Sequence, residues 1–156
     1  MGLSEMYHVG IVVPDLDVGR ERLTELLGIV WGPVVETPVK VRDAEGGAAE
    51  VPLKFCYSTE APYLELIEER PGTPWVCNPH SNLHHIGFFS DDVGSDSAGL
   101  TGAQCPIDLA GRDETAEIAG WAYHRDPLGI RIELVDAATR PMMEQFLFTA
   151  PPIDGH

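Results

Sequence analysis

Two histidines and two glutamates occupy matching positions in the two halves of this 156-residue sequence. His8 opens the segment HVGIVVPD, and His85 opens the similar segment HIGFFSDD 77 residues later. Glu65 lies in LELIEE and Glu133 in IELVDA, 68 residues further on, each between aliphatic residues. Imidazole nitrogens and carboxylate oxygens together suit Zn, Fe, Co, Ni or Mn ions. The repeat therefore predicts one divalent metal ion bound by His8, Glu65, His85 and Glu133.

The alternation of side chains along a strand predicts where these residues point. The positions that alternate with these residues are the more aliphatic ones, and we expect helices to cover that face of the sheet. Both histidines and both glutamates then share the other face. The glycines two residues after each histidine would leave room there for a ligand.

The elements around the four residues also repeat, and they predict an α+β fold. Each half shows a strand, a helix and three further strands, in the order βαβββ. Strands are predicted near 7–13, 34–41, 51–58, 62–68, 84–90, 106–110, 118–124 and 130–135, and helices near 16–28 and 92–102. Because each half is too short for its own core, we expect a single domain. It comprises repeats 6–70 and 83–138, a linker at 71–82, and a tail at 139–156 that docks on the domain or on a second subunit.

The remaining histidines are weaker ligand candidates. His84 adjoins His85, so on a regular strand it faces the opposite way and is expected to pack near the site without binding the ion. His80 lies in the predicted linker, His124 near a turn and His156 at the terminus. These three are expected to be structural or exposed.

Composition excludes several classes of function. With 25 acidic and 10 basic residues, the chain carries a net charge of −15 and would repel nucleic acid and anionic lipid. No apolar run reaches the roughly 18 residues that span a bilayer. Three cysteines form neither a disulfide framework nor a thiolate metal site, and they fit a reducing cytoplasm.

The motifs resemble those of the vicinal oxygen chelate superfamily, which includes glyoxalase I, methylmalonyl-CoA epimerase, extradiol dioxygenases and bleomycin-resistance proteins. HVGIVVPDLD is similar to the family's opening strand, LHHIGFFSDDV to the start of its second module, and DPLGIRIELVD to its closing turn and strand. The second motif is nearest the epimerase version. The resemblance covers residues 6–138. It implies paired βαβββ modules that form a cupped, mixed eight-stranded sheet around a metal held by the same four residues, with the helices outside.

The resemblance implies an enzyme, a metal-dependent isomerase, epimerase or lyase of the glyoxalase type. A polarised carbonyl acidifies the neighbouring C–H bond, and a carboxylate can then remove the proton to give an enediolate. The family comparison assigns this base to Glu133. Glu36 and Glu50 are in plausible positions for a second base, and nothing in the sequence selects either.

Two alternatives stay open at this point. Ring-cleaving dioxygenases use two histidines and one carboxylate, so a fourth ligand argues against that reaction. A metal-free small-molecule binding protein of the resistance type need not keep a complete ligand set. We expect a small-molecule carbonyl substrate and a homodimer. The charge of −15 favours a substrate less anionic than a coenzyme A thioester, unless Arg42, Arg112 and Arg125 converge in space.

Overall fold

Eight strands and two regular helices make up most of the computed structural model, which describes residues 3–153. The first half contains β1 (Leu3–Val13), α1 (Leu16–Leu27), β2 (Val35–Arg42), β3 (Ala48–Tyr57) and β4 (Tyr63–Glu68). The second contains β5 (Leu83–Ser90), α2 (Val93–Gly102), β6 (Ile107–Arg112), β7 (Ile118–Arg125) and β8 (Arg131–Asp136). The predicted order βαβββ is therefore present twice.

The strands form one mixed sheet that closes into a barrel in the order β1-β4-β3-β2-β6-β7-β8-β5. β1 pairs in parallel with β4, β5 pairs in parallel with β8, and the other neighbours are antiparallel. The β2–β6 pair closes the ring over two residue pairs, Val41–Gly111 and Arg42–Ala110. The predicted mixed eight-stranded sheet with outer helices is confirmed. The predicted cup is an open sheet, whereas the observed sheet is a closed barrel.

Helix α1 covers the outer face of the first half. Asp15 caps its start by accepting a hydrogen bond from the Val18 amide, and Gly28 ends it in the left-handed conformation at φ 68°. Leu16 is fully buried against the outward side chains of β3 and β4, Cys56 and Leu66. This packing covers the aliphatic face of β4, so the alternate residues of that strand point into the barrel.

Helix α2 covers the second half in the same way. Asp92 caps it through the Ser95 amide, and Leu100 packs on the outward side chains Ala122 and Leu134. Within the helix, Ser97 is buried and lies 2.7 Å from His124 Nε2, while His124 Nδ1 lies 2.7 Å from the Cys105 carbonyl oxygen. A carbonyl only accepts, so Nδ1 carries the proton and Nε2 accepts from the Ser97 hydroxyl. The prediction of a structural His124 fits this buried hydrogen-bonded position.

Replacement of Ser97 by alanine should lower the free energy of unfolding by about 1–3 kcal/mol, because His124 Nε2 would be left buried without a donor. Urea denaturation measures the loss. The matched control is Ser95→Ala, an exposed position on the same helix, which should change stability by less than about 0.5 kcal/mol. Equal stability of the two variants would contradict the assigned hydrogen bond.

The C-terminal helical segment follows β8 and consists of three short turns, Ala137–Thr139, Arg140–Met142 and Met143–Leu147. It docks on its own barrel, which is one of the two alternatives expected from the sequence. Met143 is buried, and the Phe148 ring stacks on Tyr63 with centroids 3.9 Å apart. The segment therefore covers one mouth of the barrel.

His156 lies outside the described residues. Within residues 3–153, no helix has the length and apolar character needed to cross a membrane.

Candidate metal centre

The antiparallel pair β1–β5 places the two histidines side by side. His8 pairs with Gly87, and Gly10 pairs with His85, so each imidazole lies over the glycine of the opposite strand. A β-carbon at Gly10 would overlap the His85 ring, and one at Gly87 would overlap the His8 ring. Both glycines are therefore required for space, and they fix the two imidazoles against each other.

The two parallel pairs add one glutamate on each side. Gly10 pairs with Glu65 across β1–β4, and Gly87 pairs with Glu133 across β5–β8. The two modules thus contribute a histidine and a glutamate each through equivalent registers. All four side chains are buried, with 7% of the Glu65 side chain and 9% of the Glu133 side chain exposed.

The four side chains meet around one point. His8 Nε2 lies 2.7 Å from His85 Nε2, 3.2 Å from Glu65 Oε2 and 2.9 Å from Glu133 Oε2. His85 Nε2 lies 3.1 Å from each of the same carboxylate oxygens. One ligand atom from each residue falls within 4.8 Å of all the others. The structure therefore brings together all four residues that the sequence singles out.

Mutual contacts set the protonation of these groups. Burial lowers the pKa of His8, but the carboxylates of Glu133 and Glu65 outweigh burial and raise it to about 9. The pKa of His85 is also raised, since Glu133 and Glu65 outweigh its burial. Burial raises the pKa of both glutamates, but the two imidazoles outweigh it and lower both values. Both carboxylates are accordingly ionised at neutral pH.

A divalent ion fits this donor set. Glu65 Oε2 and Glu133 Oε2 are buried and have no polar partner in the described part of the chain other than the two imidazoles, as expected of atoms that serve as ligands. Donors about 2.0–2.2 Å from a common ion, at angles of about 90–110°, lie about 2.8–3.6 Å from each other. The observed separations of 2.7–3.2 Å are close to that range. Two nitrogens and two oxygens can therefore hold a first-row transition metal or zinc.

His84 orients His85 from behind. Its Nε2 lies 2.9 Å from the Pro74 carbonyl oxygen and must donate to it. Burial, together with the charges of His85 and Arg131, lowers the pKa of His84 to about 3. The ring is therefore neutral, and its Nδ1 carries no proton. That nitrogen lies 2.9 Å from His85 Nδ1 and accepts a hydrogen bond from its N–H. His85 therefore keeps the proton on Nδ1 and presents Nε2 to the centre, the arrangement that a metal-binding imidazole needs.

The sequence-based expectation that His84 faces away from the site is wrong. A bulge in β5 explains the difference, since Gly10 pairs with His85 while the next residue, Ile11, pairs with Leu83. The extra residue breaks the alternation, and His84 turns toward His85 and Tyr123. The expectation that His84 packs near the site agrees with its position.

A cavity of about 220 Å³ lies beside the four residues within the barrel. Glu65 and Glu133 form its polar end, and the remaining wall is largely apolar. The lining residues are Val39, Leu53, Phe55, Tyr57, Glu65, Trp75, Gly120, Trp121, Tyr123, Glu133, Val135, Thr139, Met142, Met143 and Leu147. Trp75 comes from the predicted linker, and the last four residues come from the C-terminal helical segment. In the sequence, the only indication of this part of the wall is that a tryptophan and two methionines, all large apolar residues, lie outside the repeated elements.

Two tyrosines stand beside the glutamates in equivalent positions. Tyr57 pairs with Glu65 across β3–β4, and Tyr123 pairs with Glu133 across β7–β8. The Tyr123 hydroxyl accepts a hydrogen bond from Trp75 Nε1 at 3.1 Å. Burial, followed by the nearby carboxylates, raises the pKa of both tyrosines well above 10, so both keep their protons. They are neutral hydrogen-bonding groups at the polar end of the cavity.

The structure does not bring Glu36 or Glu50 to the cavity. Both are exposed on the outer side of the sheet, where Glu36 lies 3.9 Å from Lys54 and Glu50 pairs with Lys40. Outward alternation on β2 and β3 accounts for this placement. Neither carboxylate is therefore positioned as a second base.

The three arginines considered as phosphate ligands do not converge. Arg42 donates to the Ala116 carbonyl and Arg112 to the Val41 carbonyl, near the β2–β6 junction. Arg112 pairs with Ile118 on β7, and Arg125 lies seven residues further along the same strand. Seven residues of a strand span about 23 Å, so Arg125 is far from the other two arginines. No shared anion site results.

Comparison with solved structures gives the same fold in methylmalonyl-CoA epimerases. One such enzyme, in complex with methylmalonyl-CoA and NH4+, is 25% identical, with a TM-score of 0.56 over 87% of this chain and 96% of the other. A variant of the Streptomyces coelicolor epimerase in complex with 2-nitronate-propionyl-CoA gives the same four values. The Mycobacterium tuberculosis epimerase shows the fold alone at 19% identity, with a TM-score of 0.57 over 90% and 92%. A comparison with curated proteins finds no match.

Comparison with protein families agrees with the fold. The family model for the Glyoxalase/Bleomycin resistance protein/Dioxygenase superfamily matches residues 7–121, which is most of the chain. The resemblance found in the opening and second-module motifs is thereby confirmed. The chain belongs to the glyoxalase/bleomycin resistance protein/dioxygenase superfamily.

Proposed function

We propose that this protein is a divalent-metal-dependent isomerase, epimerase or lyase that abstracts a proton next to a carbonyl group. The proposal rests on one observation: four buried side chains offer one ligand atom each within 4.8 Å of one another, and the two carboxylates among them line a cavity. The likeness to methylmalonyl-CoA epimerases at 25% identity supports an epimerase-type reaction. His8, Glu65, His85 and Glu133 are the proposed ligands of Zn, Co, Ni, Mn or Fe.

The chemistry of the bound ion would be that of a Lewis acid, which polarises a substrate carbonyl and acidifies the adjacent C–H bond. Glu133 is the proposed base. Its carboxylate is ionised at neutral pH and lines the cavity, so it can take a proton from a substrate carbon. The substrate is then an enediolate. Return of the proton to the neighbouring carbon, with transfer of the hydroxyl proton to the former carbonyl oxygen, isomerises an α-hydroxycarbonyl substrate.

Inversion at one carbon requires a second group on the other face of the substrate. Glu65 is the other carboxylate of the cavity wall, related to Glu133 by the module repeat. The protonated hydroxyls of Tyr57 and Tyr123 flank the two carboxylates and can donate hydrogen bonds to substrate oxygen. The apolar wall excludes water, which protects the carbanion-like intermediate from unselective protonation.

Protein purified without chelator should contain one divalent ion per chain, and the His85→Ala protein should contain almost none. Elemental analysis measures both. A chelator should lower the melting temperature of the wild type, because removal of the ion leaves two adjacent buried carboxylates, and added metal should restore it. Exposed His80 supplies the matched control, and His80→Ala should keep a full complement. A full complement in His85→Ala would contradict the ligand set, and a wild type that binds no divalent ion would favour the metal-free alternative.

The homodimer and the cytoplasmic location stay predictions. All three cysteines, Cys56, Cys77 and Cys105, are free thiols, which is typical of a reducing compartment. Size-exclusion chromatography with light scattering would determine the oligomeric state.

A further inference from the structure

Much of the cavity wall, beginning with the two tyrosines beside the carboxylates, is built from aromatic rings. Trp121 lies 5.0 Å from Tyr123 in an edge-to-face contact, and Trp75 lies 6.0 Å from both, measured between ring centroids. Phe55 and Tyr57 form a second edge-to-face pair at 6.0 Å. Such walls favour flat apolar groups, which gain contacts with ring faces and edges in addition to the hydrophobic effect.

No cation among residues 3–153 lines the cavity. Four basic residues lie next to a lining residue or two positions from a ligand residue, and all are held elsewhere. Lys40, next to Val39, binds Glu114. Lys54 lies 3.6 Å from Glu68 on the outer face, and Arg131 binds Asp108 at 2.7 Å. Arg140 binds Glu5 at 2.6 Å and Glu144 at 2.9 Å. A carboxylate or phosphate within the cavity would therefore have no side-chain counter-charge.

The charge of the centre itself also disfavours an anionic substrate. Two neutral imidazoles, two carboxylates and one divalent ion sum to zero. An uncharged carbonyl compound leaves this sum unchanged, whereas a carboxylate-bearing ligand brings an uncompensated negative charge into a buried site. Burial of an unpaired charge is strongly unfavourable.

The size of the cavity limits the ligand further. An apolar cavity of about 150 Å³ holds one benzene molecule. The cavity of about 220 Å³ in this barrel therefore accommodates one such ring together with a short carbonyl-bearing chain. The flexible side chains of Met142 and Met143 at the mouth can adjust to the ring.

We infer that the substrate is an uncharged carbonyl compound that carries a single aromatic ring, with the ring held among Phe55, Trp75 and Trp121. The inference deepens the proposed function and rests on it, because the carbonyl group of such a compound must reach the candidate metal centre. Trp121 then determines specificity for the ring. A coenzyme A thioester, whose phosphates would need a cationic patch at the mouth, does not meet these requirements.

Four probe ligands distinguish the effect of an aromatic ring on binding from the effect of a negative charge. These are 2-hydroxyacetophenone, hydroxyacetone, which lacks the ring, phenylglyoxylate, which adds a carboxylate, and methylmalonyl-CoA. Titration calorimetry with metal-free and zinc-treated protein should show 2-hydroxyacetophenone binding at least about tenfold more tightly than the other three, which corresponds to about 1.4 kcal/mol. Binding of phenylglyoxylate or methylmalonyl-CoA as tight as this would overturn the inference, as would equal binding of hydroxyacetone.

Two variants test the assigned wall. Trp121→Ala should weaken binding of 2-hydroxyacetophenone about tenfold and leave hydroxyacetone unchanged, since only the ring loses its contact. Leu128→Ala, at a position 84% exposed, is the matched control and should change neither. Val39→Lys places a cation at the cavity and should tighten binding of phenylglyoxylate relative to 2-hydroxyacetophenone, which tests the charge argument even if Trp121→Ala does not fold. Unchanged selectivity in both variants would contradict the inference.

Metal content, measured in the same samples, distinguishes this inference from the proposed function. A protein that binds one ion and prefers the charged probes would retain the proposed function and overturn the substrate class. A protein that binds no ion and prefers 2-hydroxyacetophenone would retain the ring site and overturn the metal-dependent reaction.

Discussion

Replacement of Gly87 by alanine should abolish metal binding. Residue 87 faces His8 across the β1–β5 pair, and a β-carbon there would overlap the His8 ring. The imidazole is fully buried, with His85 Nε2 2.7 Å away, so it has no space into which to retreat. Displacement of a ligand should weaken metal affinity on the order of a hundredfold or more. Gly10→Ala should have the same effect through His85.

Metal titration with a competing chromophoric chelator measures this loss, and the melting curve of the chelated protein measures any separate cost of overpacking, which is about 1–3 kcal/mol. Gly102→Ala is the matched control, because a β-carbon there meets no atom within 4 Å. Its metal affinity should equal that of the wild type. Wild-type affinity in Gly87→Ala would show that the His8 imidazole does not lie over Gly87 when the ion is bound.

The repeat in the sequence carried most of the information about the site. Period-two alternation, applied to two copies of the same segments, predicted the shared face of Glu65 and Glu133 without knowledge of strand order, since each copy supports the other. The same alternation gives the wrong direction for the His84 side chain, because it assumes a regular strand. A bulge depends on how two strands pair, and pairing is not local in sequence.

The cavity wall could not be predicted from the sequence for a related reason. Trp75 lies in a predicted linker without strand or helix periodicity, so no pattern assigns it a face. Met143 lies in a tail predicted to dock on the domain or on a second subunit, and the sequence does not select between them. Their burial depends on the barrel, which closes through the short β2–β6 contact between the two modules. The ligands therefore follow from the repeated elements, while part of the cavity wall, Trp75 and the residues of the C-terminal helical segment, comes from segments outside the repeat.

Replacement of Glu133 by glutamine should abolish exchange of the substrate α-proton with solvent. Glutamine keeps the size of the side chain and an oxygen that can face an ion, but it cannot accept a proton. Loss of a general base costs about 10²–10⁴ in rate. Incubation in deuterated water with α-hydroxyketones, 2-oxoaldehyde adducts and methylmalonyl-CoA, followed by mass spectrometry, measures the exchange.

The matched control for this change is Glu65→Gln, which removes the same charge from the equivalent position of the other module. Metal content must be equal in both variants, because loss of the ion would also stop exchange. Under that condition Glu65→Gln should retain exchange within about tenfold of the wild type, because exchange needs only the base that removes the α-proton, whereas Glu65 is the group placed to act in inversion. Equal loss in both variants would assign proton transfer to the pair, and retention of exchange in Glu133→Gln would refute the assignment of Glu133. Uptake of oxygen with a catechol and ferrous iron would instead support the dioxygenase alternative, whose reaction requires no α-proton transfer.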